Sequence, residues 1–211
     1  MDLIKKSTKS NSLWNISNYL FSVVSLFFLF PFLIKNIGAA SYGFFIFLST
    51  INGIASVANF GFGEATLRYV ALYYTKNEIP TIKNILSTSL LIYIVLGAFV
   101  GFMVYLLAPQ ISDLLKEKSI DSETAIYLIR VSAATFIVRF TFGIFAMVPQ
   151  ALQRFDISSK ITIGETILRV ALYVIVILKG YGLTGLVYSE LLLALIYVAT
   201  NYLITSSIFK K

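Results

Sequence analysis

Apolar runs of about twenty residues, the length a helix needs to cross a hydrocarbon core of about 30 Å, recur six times along the chain, separated by short polar joints. They predict transmembrane helices over approximately Leu13 to Ile34, Tyr42 to Phe60, Ile85 to Leu107, Ala125 to Val148, Ile161 to Leu178 and Leu183 to Ile204. The fold class that follows is all-α, a polytopic six-transmembrane-helix bundle forming a single lobe over residues 1–211. The first run is preceded by Lys5, Lys6 and Lys9 like a secretory signal, but it is too long and no small-residue cleavage site follows, so it is expected to stay attached as an anchor. Pro31 and Pro149 fall near helix ends, Pro109 is expected to close the third helix, and Gly61 and Gly63 to interrupt the exit of the second. No low-complexity segment or short tandem repeat is present.

Composition agrees with that pattern. The 211 residues are 58% hydrophobic and 13% charged, against roughly 45–50% apolar and about 25% charged in an ordinary soluble domain. A water-soluble fold is thereby excluded. Lys and Arg total 17 against 10 Asp and Glu, a formal charge of +7. In a membrane protein such a surplus gathers in cytoplasmic loops and does not signal nucleic-acid binding. Ten of the 17 fall in joints on one side of the bundle, four on the other, and Arg130, Arg139 and Arg169 lie within helices. Both termini are therefore expected in the cytoplasm, with the mixed-charge segment from Asp113 to Glu123 outside as a solvated loop or short surface helix.

Polar residues inside the helices carry the candidate chemistry. Asn11, Asn15, Asn18, Ser22 and Ser25, spaced by three and four, share one face of the first helix. That face should avoid lipid, either by bonding neighbouring helices or by lining a wet cavity. Charge at bilayer depth costs several kcal/mol and is kept where it meets a partner or a cavity. Arg139 sits near the middle of the fourth helix with no carboxylate at helical spacing, whereas Arg130 is close enough to the outer end to reach headgroups. Arg169 is central in the fifth helix, Glu165 shares its face one turn earlier, and Glu190 lies about two turns into the sixth. Arg139 and Arg169 facing inward together would form a cationic core that attracts a phosphate-bearing anion, because guanidinium forks match phosphate oxygens.

Enzyme chemistry finds no support. The chain has no histidine and no cysteine, which removes the usual general base, thiolate nucleophiles and most metal ligands. The aspartates at positions 2, 113, 121 and 156 are too scattered for a divalent-metal phosphotransferase site, and no P-loop occurs. No cofactor or metal is expected.

Several stretches resemble the O-antigen and polysaccharide flippases, the Wzx-like branch of the MOP superfamily that also holds the multidrug and toxin extrusion (MATE) transporters. Gly38 with Tyr42 and Gly43 is similar to a Leu-Gly…Tyr-Gly turn of that family, and Asn59 to Tyr73 (NFGFGEATLRYVALY) to its acidic-Phe/Leu-Gly…Arg-Tyr-Val-Ala segment. Pro149 to Asp156 (PQALQRFD) and Gly182 to Leu186 fit its Gln-Arg-Phe-Asp region and the start of its sixth helix. Asn59 stands where an acidic residue is common, and Ala151 replaces a turn glycine.

The resemblance covers nearly the whole chain but about half the family's length, and implies the N-terminal lobe of a longer two-lobed flippase, inactive alone. It further implies a substrate of undecaprenyl-pyrophosphate-linked oligosaccharide moved across the inner (cytoplasmic) membrane by alternating access. On this reading Arg139 and Arg169, with Arg130 secondary, attract the pyrophosphate or acidic sugars, while Glu165 and Glu190 balance charge or take a proton. Arg68, Arg154 and Asp156 shape the cytoplasmic mouth or act as caps and headgroup anchors, and Asn15, Asn18 and Ser22 form the polar cavity stripe. The partners are membrane lipids, the missing C-terminal lobe or a second copy in a homodimer, and a polysaccharide polymerase complex. Two alternatives stay open: a six-helix substrate-binding subunit of a small-molecule uptake system, and a non-transporting scaffold of polysaccharide assembly.

Overall fold

A computed structural model describes residues 8–58, 61–115 and 120–209. Asn59 and Phe60, Lys116 to Ser119, Lys5, Lys6, Lys210 and Lys211 lie outside the described residues, as do the side chains of Lys9 and Asn11. Eight helices follow one another among the described residues: α1 (Thr8–Ile37), α2 (Ala39–Ala58), α3 (Phe62–Thr75), α4 (Ile79–Leu115), α5 (Ser122–Phe142), α6 (Ile144–Ala151), α7 (Phe155–Leu178) and α8 (Gly182–Ile208). The fold class is all-α. Five stretches, Trp14–Ile37, Ile79–Leu115, Ser122–Ala151, Phe155–Leu178 and Gly182–Ile208, are long and apolar enough to span a bilayer. At 20 residues, α2 is about 30 Å long. The chain is a multi-pass membrane protein.

Three local differences from the sequence reading have simple causes. Pro109 does not end a helix, because α4 runs on to Leu115. A proline removes one backbone donor, and the hydrogen bonds of the flanking turns carry the helix through. The joint after the second span contains α3, which starts at Gly61 in the left-handed region (φ 78) and buries Gly63, Thr66 and Val70 at helical spacing. Its other face exposes Phe62, Tyr69 and Leu72, and at 14 residues it is shorter than a spanning helix. The fourth span is divided at Gly143 into α5 and α6. Within α6, Pro149 offers no N–H to the Phe145 carbonyl, and the Thr205 hydroxyl of α8 donates to that carbonyl at 3.0 Å.

The turns share one geometry. After α3, α6 and α7 the chain closes a Schellman motif, with Glu78 N–H bonding Tyr73 O at 3.0 Å, Arg154 N–H bonding Pro149 O at 2.8 Å and Tyr181 N–H bonding Val176 O at 3.0 Å. The left-handed residues are Asn77 (φ 58), Gln153 (φ 55) and Gly180 (φ 78). At the start of α5, Asp121 accepts the Thr124 N–H at 3.1 Å as an N-cap.

The bundle is built around α5, the most enclosed helix, whose Leu128, Ile129 and Phe136 are fully buried. Its closest partner is α4. Gly97 and Gly101, a Gly-x-x-x-Gly pair, let the two backbones approach: a Cβ at 97 would lie 2.7 Å from Thr141 Oγ1, and one at 101 would collide with Ile137. α8 and α2 flank α5 on other sides, α7 packs against α8, and α1 packs along α7. α3 lies over α4 and α6. Tyr19, Leu20, Val23, Phe27 and Phe28 leave an apolar exposed face on α1.

Candidate functional site

Four charged side chains from three helices meet inside the bundle. α5 brings Arg139, α7 brings Glu165 and Arg169 one turn apart, and α8 brings Glu190. Arg139 Nη2 donates to Glu165 Oε1 at 2.6 Å and lies 3.6 Å from Glu190 Oε2. Arg169 Nη2 donates to the same Glu165 oxygen at 2.8 Å, and Arg169 Nε to Glu190 Oε1 at 3.0 Å. The Tyr173 hydroxyl, one turn beyond Arg169, also donates to Glu190 Oε1. Glu165 stands ten residues, about 15 Å, from the start of α7, and Glu190 eight residues, about 12 Å, from the start of α8. Both sit in the interior of helices long enough to cross a core of about 30 Å.

The two arginines stand among carboxylates. Two guanidiniums and two carboxylates sum to zero, because Arg139 finds across the helix interface the carboxylates that its own helix lacks. Both arginines also keep a face toward open space. Arg139, Arg169, Tyr173 and Glu190 line a cavity of about 350 Å³ whose remaining wall is largely apolar, from Leu26, Leu29 and Phe30 on α1 and Phe45 and Ile46 on α2. Tyr42 and Ser49 are the polar members of the α2 wall. Glu165 faces a second groove of about 320 Å³ between α7 and α8, with Lys160 and Tyr197. The network thus stands between the two. The Arg139 guanidinium packs over the Tyr197 ring, 5.5 Å from its centroid, and its Nε is buried without an acceptor.

The other candidate residues are elsewhere. Arg130 is nine residues, about 13 Å, along α5 from Arg139. Its guanidinium packs over Tyr105 of α4 at 4.7 Å from the ring centroid and does not join the network. The stripe on α1 turns toward α7: the Ser159 hydroxyl donates to Asn15 Oδ1 at 3.3 Å, and Ser25 borders an apolar crevice with Ile167 and Val170. Asn18 and Ser22 are half-buried on that side, and the wall that α1 gives the charged cavity is apolar. Arg68 is exposed on α3. Arg154 and the buried Asp156 form a two-point pair, Nε to Oδ1 at 3.0 Å and Nη2 to Oδ2 at 3.3 Å, which secures the turn into α7. That hydrogen bonding pushes the Arg154 guanidinium above its ordinary range, so it is charged at any physiological pH.

Tyr173, Tyr197 and Tyr42 are the site residues that sequence reasoning missed. Two of them carry a legible signal: Glu165, Arg169 and Tyr173 follow at intervals of four, and Tyr197 is seven residues after Glu190, so each set shares a helical face.

No protein-family model matches the sequence, and no curated protein matches it significantly. Solved structures do match the fold. A multidrug resistance MATE family transporter of the MOP superfamily in its outward-facing conformation superposes with a TM-score of 0.79 at 17% identity, covering 100% of this chain and 49% of that one. A MATE protein in the bent conformation gives 0.78 at 18% identity, covering 92% and 43%. A MATE protein in complex with MaL6 gives 0.73 at 19% identity, covering 92% and 45%. The chain has the fold of one lobe of a MATE-type transporter and spans about half the length of the structures it matches.

Proposed function

We propose that the chain is one lobe of a membrane exporter that moves an anionic, lipid-linked oligosaccharide across the cytoplasmic membrane, with the diphosphate of the cargo held by Arg139 and Arg169. The observation that carries this reading is the pair of arginines, held inside a lobe of transporter-type fold with one face open to a cavity. Arg139 and Arg169 both border the cavity, and forked guanidiniums suit phosphate. The resemblance of the Pro149 to Asp156 and Asn59 to Tyr73 segments to polysaccharide flippases supports the choice of cargo. A second lobe, or a second copy of this one, completes the cavity wall, and the surplus of Lys and Arg supports cytoplasmic termini.

The test is movement of a radiolabelled undecaprenyl-diphosphate oligosaccharide in proteoliposomes holding the chain together with a C-terminal lobe. Arg139→Lys keeps the charge and loses the fork, so transport should fall but persist. Arg139→Gln should abolish transport while the protein still inserts and accumulates. Undiminished transport by Arg139→Gln would favour the scaffold reading, in which the ion pairs only hold helices together.

A further inference from the structure

The charge count of the network limits how an anion can enter it. Empty, the site is neutral, with each carboxylate within 3.0 Å of at least one arginine nitrogen. A diphosphate diester, the linkage proposed for the cargo above and the reading on which this inference rests, carries two negative charges. Placed against Arg139 and Arg169 while Glu165 and Glu190 stay ionised, it would leave the site with two uncompensated negative charges beside the apolar walls of α1 and α2. Uncompensated charge at that depth costs several kcal/mol.

Few other groups could balance it. α1 contributes no titratable side chain to the cavity wall, and α2 contributes only Tyr42, which is neutral. α5 contributes Arg139, α7 contributes Arg169 and Tyr173, and α8 contributes Tyr197 beside Glu190. Lys160, in the groove on the other side of Glu165, is five residues, about 7 Å, nearer the start of α7. The acceptors that must leave the guanidiniums are the carboxylates themselves, and a carboxylate that gives up its cation inside an apolar bundle is most cheaply accommodated as the neutral acid.

We propose that a diphosphate diester binds at Arg139 and Arg169 together with two protons, one on Glu165 and one on Glu190, so that the empty and the loaded site are both neutral. Each phosphate oxygen replaces a glutamate oxygen on a guanidinium, and each displaced glutamate takes a proton from the water of the cavity or groove. By linkage, protons and anion strengthen one another's binding by the same factor.

The chain in lipid nanodiscs, titrated calorimetrically with a short-chain dialkyl diphosphate in two buffers of different ionisation enthalpy, reports the protons taken up per anion bound. This probe's phosphates do not titrate near neutrality. The expected count is two, with the dissociation constant tightening by roughly 100-fold for each unit of falling pH. Glu165→Gln with Glu190→Gln should bind tightly at every pH and take up no proton; circular dichroism verifies that it keeps its helices, and if it does not, the count on the unaltered chain decides. Binding with a flat pH profile, or with one proton or fewer, overturns the exchange and leaves the arginine site standing, with Glu165 turning toward Lys160 as the remaining route to charge balance. No binding at any pH by either the unaltered chain or the folded double variant would remove the diphosphate site itself, and the exchange with it.

Discussion

Arg139→Ala would remove the one cation that, among the described residues, ties α5 to the glutamates of both α7 and α8. A pair of unit charges about 4 Å apart is worth about 4 kcal/mol before desolvation at an effective dielectric constant of about 20, and stranding one member of a buried pair costs about 3–5 kcal/mol. Neither glutamate is stranded outright here. Glu165 keeps Arg169 Nη2 at 2.8 Å, and Glu190 keeps Arg169 Nε at 3.0 Å as well as the Tyr173 hydroxyl. The Arg139 side chain is also 23% exposed, which screens part of its attraction. The expected loss therefore falls just below that range, at about 2–3 kcal/mol. Adding Glu165→Gln returns the site to one arginine and one glutamate, so the double variant should be more stable than the sum of the single effects predicts, by about 1–3 kcal/mol. Reversible unfolding in mixed detergent micelles, followed by far-ultraviolet circular dichroism on the four members of the cycle, measures both quantities. Strict additivity, or an Arg139→Ala variant as stable as the parent, would refute the view that these charges form one energetic unit.

Gly101→Val should lower the same unfolding midpoint by the equivalent of about 1–3 kcal/mol, since a side chain there collides with Ile137 and must push α4 off α5; an unchanged midpoint would mean that the helices are not this close. Asn77 closes the turn after α3 in the left-handed region. Asn77→Val should cost about 1–2 kcal/mol while Asn77→Gly is neutral or slightly stabilising, and equal effects of the two would remove the backbone explanation. For topology, cysteines placed at the exposed turns report cleanly, because the chain has none of its own. A membrane-impermeant thiol reagent added to intact cells should label Lys179→Cys and spare Lys76→Cys, and the reverse pattern would invert the proposed orientation.

What the sequence determined by itself is what depends on neighbours along the chain. The all-helical class follows because a bilayer core demands about twenty apolar residues with every backbone group bonded internally; the stretches Ile85 to Leu107, Ile161 to Leu178 and Leu183 to Ile204 each fall within one helix of the structure, and Ala125 to Val148 is shared between α5 and α6. Glu165 and Arg169 were legible as a pair for the same local reason, being one helical turn apart. Gly97 and Gly101 could have been read as a close-packing face and were not. What only the tertiary structure decided is which helices meet. Arg139 has no carboxylate near it in sequence, and its partner Glu165 is 26 residues away; Glu190 arrives from yet another helix. Hydropathy reports that a residue is too polar for lipid but carries no information on which neighbouring helix it faces, so the arginines looked cationic until α7 and α8 closed against α5. The same limit explains Asn15 and Ser22, whose shared face was evident while its direction, toward α7 and away from the charged cavity, depended on how α1 packs.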